Sequence, residues 1–142
     1  APWRFIVFAG EGRERAGRLA LELRLADAPD LDEATRAAER NRFSRSPLVI
    51  AVVSRAGPHV KIPEWEQVLS AGAATMALEI AVAALGLAST WLTEWCAYDA
   101  RFRAGIGLAE HERIAGFVHI GRAKKPPEDR PRPDLADIVT YF

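Results

Sequence analysis

The run P-L-V-I-A-V-V-S, from Pro47 to Ser54, constrains the fold more than any other segment of this chain. Its apolar side chains occupy consecutive positions rather than alternate ones, the mark of a central strand covered on both faces. Such a strand needs a layer on each side, so the run implies a sheet packed by helices. Gly57-Pro58 ends it. Pro63 then sets the first turn of a long helix, about Glu64 to Leu85, which Gly86 closes. Ala88 to Thr93 (A-S-T-W-L-T) is the next strand, so the middle of the chain resembles a β-α-β crossover. The long helix is rich in small residues, among them Ala71, Gly72, Ala73, Ala74, Ala77, Ala81, Ala83 and Ala84. Small side chains let another backbone approach, which places this helix at the centre of the domain or at a subunit contact.

The remaining elements follow from shorter signals. Trp3 to Phe8 is β-branched and aromatic and reads as a strand. Ala9-Gly10-Glu11-Gly12 turns out of it into a helix from Arg13 to about Leu25, where Ala16, Leu19, Ala20 and Leu23 recur at helical spacing. Asp30 or Asp32 caps a second, heavily charged helix, roughly Leu31 to Arg42. Asp99 caps a short helix through about Gly105, and Arg113 to Gly121 is a fourth strand. A Pro- and Lys-rich loop spans Arg122 to Pro133, and Ile138 to Phe142 reads as a terminal strand. With no repeat and no earlier linker, residues 1–142 form a single α+β domain, one mixed sheet packed by helices.

Composition and motifs narrow the chemistry mostly by exclusion. Lys+Arg and Asp+Glu are each 19, for a formal net charge of +0, which gives no electrostatic reason to expect nucleic acid or an anionic membrane. No uncharged apolar run reaches the roughly 18–20 residues of a membrane span. Ala71 to Leu87 comes nearest and carries Glu79. The one cysteine, Cys96, suits a reducing cytoplasm and reads as a small buried apolar side chain. His59, His111 and His119 lack metal-ligand spacing. Gly10-Glu-Gly12 lacks the third glycine of a dinucleotide fingerprint, because position 15 is Arg. There is no nucleophile elbow and no phosphate loop. A chain with no self-contained catalytic motif fits an enzyme whose cofactor carries the chemistry.

Five segments, in order, resemble the flavin mononucleotide (FMN) nitroreductase family, particularly its small single-domain branch. They are P-W-R-F at Pro2 to Phe5, the strand and turn from Phe5 to Arg15, and K-I-P-E-W-E-Q-V-L-S-A-G from Lys61 to Gly72. G-L-A-S-T-W-L-T from Gly86 to Thr93 and I-A-G-F-V-H-I-G from Ile114 to Gly121 complete the set. The resemblance implies a homodimer with FMN at the subunit boundary, using NAD(P)H to reduce nitroaromatics, quinones or similar small-molecule acceptors. It assigns Trp91, Leu92 and Thr93 to the flavin-contacting segment, and Arg130 and Arg132 to the FMN phosphate. It places Trp65-Glu66-Gln67 near the dimer boundary and the terminal strand against the other subunit. Some close relatives carry Arg where this chain has Leu92. The family's R-R-S-type phosphate-gripping segment lies ahead of P-W-x-F, so residues 1–142 read as a nitroreductase-like domain lacking the family's N-terminal segment: truly absent, which would damage FMN affinity, or merely left out ahead of Ala1. The alternatives of the same fold are a flavin-binding or flavin-storing protein without turnover, and an interaction domain that has lost the flavin.

Overall fold

The computed structural model describes residues 1–125 and 128–142; residues 126 and 127, inside the predicted Pro- and Lys-rich loop, lie outside them. Strand β1 (Trp3–Ala9) leads through Gly10, at φ 49°, into helices α1 (Glu11–Asp27) and α2 (Glu33–Arg40). Of the two candidate caps for α2 it is Asp32 that serves, its Oδ1 accepting from the Thr35 N–H at 2.8 Å. Strand β2 (Leu48–Ser54), helix α3 (Glu64–Ala84) and strand β3 (Ala88–Leu92) form the expected crossover. A 3-10 turn (Trp95–Ala97), helix α4 (Ala100–Gly105), strand β4 (Arg113–Gly121) and helix α5 (Leu135–Ile138) complete the chain.

The sheet order is β1-β2-β4-β3. β2 and β3 run the same way, as a crossover demands, but β4 lies between them, so each hydrogen-bonded pairing is antiparallel. β2 and β4 are therefore the strands with helices over both faces. On one face Phe8, Val49, Ala51, Val53, Ile114 and Phe117 meet Ala16 and Ala20 of α1, Phe43, Cys96 and Phe102. Phe43 stacks on Phe102 at 5.5 Å and meets Phe117 edge-on at 5.2 Å. On the other face Val52, Val118 and Ile120 meet Val82 and Leu78 of α3. A β-bulge changes the phase of β4: Val52 faces Gly116 and Val53 faces Ile114, leaving Ala115 over. Ile114 thereby joins the first core and Ala115 the second.

α3 ends in a Schellman motif. Leu87 N–H donates to Val82 O and Gly86 N–H to Ala83 O, with Gly86 at φ 71°. Only one stripe of this helix, Gln67, Ala71, Thr75 and Val82, is buried. Trp65, Val68, Leu69, Met76 and Ile80 remain exposed, as do Phe5 and Val7 on the same face of β1. So α3 is not enclosed at the domain centre, the first of its two expected placements. By length and composition alone α3 could cross a membrane. Its buried stripe is, however, already docked on the sheet.

The terminal strand expected at Ile138 to Phe142 is not formed. Asp134 caps a single helical turn, Leu135–Ile138, and the last residues are irregular and exposed. β-branched and aromatic residues suit a strand only where an edge offers hydrogen-bond partners, and among the described residues no strand pairs with this segment.

One ion pair fastens the two ends of the domain. Arg4, on β1, donates from Nε and Nη2 to the two carboxylate oxygens of buried Glu112 at 2.8 and 2.7 Å. The Ala109 N–H donates to the same carboxylate at 2.9 Å. The Arg4 hydrogen bonds hold the Glu112 carboxyl down at about 2, against its own burial. Replacing Arg4 with Ala should lower stability by about 2 kcal/mol at neutral pH, since a buried carboxylate loses the nearer of its two charged partners and keeps only Arg55, at 3.5 Å. A carboxyl with a depressed folded-state pKa stabilises fully above its ordinary value and loses that contribution as it protonates. Urea unfolding across pH should show the gap between Arg4→Ala and wild type constant above about pH 5, shrinking as the pH falls towards 2.

Candidate functional site

β3 is an edge strand, and its far end carries the segment Trp91–Thr93. Side chains alternate along a strand, so Trp91 and Leu92 point to opposite faces. Trp91 lies opposite Val118, on the α3 face, and Leu92 opposite Phe117, on the α1 face. The Trp91 indole lies over the backbone of Gly116, where any Cβ would collide with the ring. Its Nε1–H donates to the carbonyl oxygen of Ala115, the bulge residue, at 3.0 Å. The ring is thus held at its edge while 39% of the residue remains exposed. Thr93 accepts a hydrogen bond on Oγ1 from the Tyr98 hydroxyl at 3.2 Å, which leaves its own O–H free to donate.

None of these three residues is sealed in the interior. Leu92 lines an open cleft of about 330 Å³ together with Thr90, Ser89, Arg45, His119 and Arg122. His119 is half-buried, and its Nδ1 lies 3.1 Å from the Ser46 hydroxyl. Burial first, and then the charge of Arg45, lowers its pKa, so the imidazole is neutral at physiological pH. The cleft walls thus combine an apolar strip, hydroxyls and two guanidinium groups. These are suitable chemistries for a flat, partly anionic ligand entering from the strand edge.

The segment leaves the sheet through an unusual residue. Glu94 has φ 53° and ψ 178°, and is the one non-glycine residue with positive φ among those described. That region belongs almost entirely to glycine and costs a side-chain-bearing residue on the order of 1–3 kcal/mol. Arg42 Nη1 and Arg45 Nη2 each pair with Glu94 Oε2 at 2.8 Å. Burial pushes the Glu94 pKa up, but Arg42 and Arg45 more than offset it and hold the carboxyl below its ordinary value. Arg42 also grips buried Glu39 through Nε and Nη2, at 2.8 and 2.7 Å, while Trp95 Nε1–H donates to Glu39 at 3.2 Å. The Trp95 ring sits beneath the guanidinium groups of both Arg24 and Arg42. Sequence reading missed this cluster. Its members are scattered from Arg24 to Trp95, and its one local sign, a charged residue in a glycine-like conformation, has no signature in composition.

Arg130 and Arg132 fall in an exposed, irregular stretch. Arg132 pairs with Asp129 at 3.1 Å, and among the described residues no hydrogen bond joins either arginine to β3. The chain by itself therefore does not bring them to the Trp91–Thr93 segment. Trp65 and Glu66 are exposed at the start of α3, whereas Gln67 is buried and ties Gly57 and Ile62 to the helix. No cluster of metal-binding side chains occurs among the described residues. Cys96 is buried, as the sequence suggested, and burial pushes its thiol up to about 12.

The α+β fold is shared with known proteins. The Nitroreductase family model matches residues 1–122, and the chain belongs to that family of oxidoreductases. It is 37% identical over 142 residues to "Putative NAD(P)H nitroreductase YdjA" of Escherichia coli strain K12, covering 99% of this chain and 76% of that protein. A Haemophilus influenzae relative of similar description is 34% identical, with 99% and 77% covered. Among solved structures, a nitroreductase-like family protein from Bacillus cereus superposes with a TM-score of 0.80 at 26% identity, covering 99% of this chain and 73% of that one. The FMN-dependent nitroreductase NfnB of Mycobacterium smegmatis, solved with NADPH, shares the fold at a TM-score of 0.68 and 16% identity, with 99% and 79% covered.

Two measurements test the site's construction. Gly116→Ala should cost about 2 kcal/mol in denaturant unfolding, because the added methyl drives the Trp91 indole off its seat. Cys96 should resist a thiol-specific disulfide reagent at pH 8 in the folded protein and react at once in urea.

Proposed function

We propose that this chain is a subunit of a homodimeric, cytoplasmic FMN-dependent oxidoreductase that uses NAD(P)H to reduce nitroaromatics, quinones or similar acceptors. The observation that carries the reading is the Trp91–Thr93 segment at the open sheet edge, where Ala115 and Gly116 seat Trp91, Tyr98 bonds to Thr93, and Leu92 lines a cleft. The names of the relatives point the same way. The chemistry FMN supplies when bound is two-electron transfer from a nicotinamide to an acceptor.

The protein's part is to bind and orient. Trp91 offers an immobilised aromatic surface, and the Thr93 hydroxyl has a proton to donate to a ring or ribityl oxygen. Leu92 contributes apolar contact and no charge, so the positive charge beside the cleft comes from Arg45 and Arg122 instead. Arg130 and Arg132 are the proposed phosphate partners. The exposed Arg132–Asp129 pair is worth less than about 1 kcal/mol and is easily exchanged for a phosphate.

Exposed area supports the second copy. The chain presents 9804 Å² to solvent. A compact monomer of 15.6 kDa should expose about 7,300 Å². The excess comes with the uncovered apolar face of α3 and β1 and with the tail, where Leu135, Tyr141 and Phe142 are fully or largely exposed.

Full-length protein should purify yellow, run as a dimer by light scattering, and oxidise NADH or NADPH when a nitroaromatic is added. Colourless protein that takes up no added FMN would contradict the reading. Removing residues 138–142 should give unstable or monomeric protein; a stable, active monomer would refute the proposed seat of the tail.

A further inference from the structure

We propose that Glu94 is a positioning residue, whose carboxylate, gripped by Arg42 and Arg45, holds the Thr93–Trp95 backbone for the flavin in a conformation otherwise reserved for glycine. The role rests on the flavin site proposed above.

Three observations converge on it. The backbone at Glu94 has φ 53° and ψ 178°, immediately after the segment assigned to the flavin. Nothing about Glu favours that conformation, so the surroundings must impose it. The side chain has the means, with two guanidinium groups on one carboxylate oxygen at 2.8 Å each. Both arginines are themselves anchored. Arg42 is nearly buried and bidentate on Glu39, and Arg45 Nε donates to the Arg42 carbonyl at 2.9 Å. The neighbouring residue is fixed to the same group through the hydrogen bond from Trp95 to Glu39.

The outcome is a rigid link between two independently held parts. Upstream, Trp91 is seated on β4, and downstream the 3-10 turn Trp95–Ala97 packs into the first core through buried Cys96 and Ala97. Residues 93 and 94 bridge them, and their peptide groups take the orientation that the Glu94 clamp sets. A ligand that bonds to those groups meets them already ordered and does not have to order them itself.

The variants Glu94→Ala and Glu94→Gly separate the clamp from the conformation it enforces. Alanine keeps the steric penalty and loses the anchor, whereas glycine adopts positive φ without one. In full-length protein, Glu94→Ala should raise the FMN dissociation constant about tenfold or more, and Glu94→Gly should stay within about threefold of wild type. In the apoprotein, amide hydrogen exchange at residues 93–96 should speed up at least tenfold in Glu94→Ala and remain unchanged in β2 and β4, which also confirms folding. Equal losses in the two variants, or an alanine variant that binds and exchanges like wild type, would overturn the role of Glu94 and leave the flavin reading standing. A wild type that takes up no FMN would sink the flavin reading and this role together.

Discussion

The pairing of β2 with β4, and the bulge within it, is the constraint on which the rest depends. These two strands are the ones covered from both sides, and their register decides which side chains reach which core. The extra residue, Ala115, returns Ile114 to the aromatic core that holds Phe43, Phe102 and Phe117. Its carbonyl also receives the Trp91 indole N–H. Removal of the bulge would shift Ile114 to the α3 face and take away the acceptor that seats Trp91. The same irregularity therefore serves the core and the candidate site.

Much of this fold was legible in the sequence, for identifiable reasons. β4 spans Arg113 to Gly121, the bounds the sequence suggests. β2 was recognisable because burial on both faces makes a near-continuous apolar run, and α4 because Asp99 is a cap, accepting from the Arg101 and Phe102 N–H groups. The tail misled for the opposite reason. Its strand-like composition is a local property, whereas a strand is a relation to a partner edge, and among the described residues this segment pairs with none. α3 shows the same limit. Its small residues signalled close approach but could not say that only one stripe of the helix would be buried within the chain.

The site was legible only in part. The segment Trp91–Thr93 could be singled out through resemblance, yet its geometry could not. Alternation sends Trp91 and Leu92 to opposite faces, so a flavin can reach all three residues only from the strand edge. The cluster of Glu39, Arg42, Arg45, Glu94 and Trp95 was invisible, because ion pairs distant along the chain leave no periodicity to read. In sequence its charged members resemble any solvated helix face. Burial of Glu39 and Arg42 makes them structural.

In the proposed arrangement a flavin lodges at the open end of β3, between Trp91–Thr93 and a second copy of the chain. A crystal structure of the full-length protein grown with FMN tests it most directly. Isoalloxazine density should appear in contact with residues 91 to 94, closed on its far side by the partner subunit. A dimer whose β3 edge is covered by protein, with FMN elsewhere or absent, would contradict it.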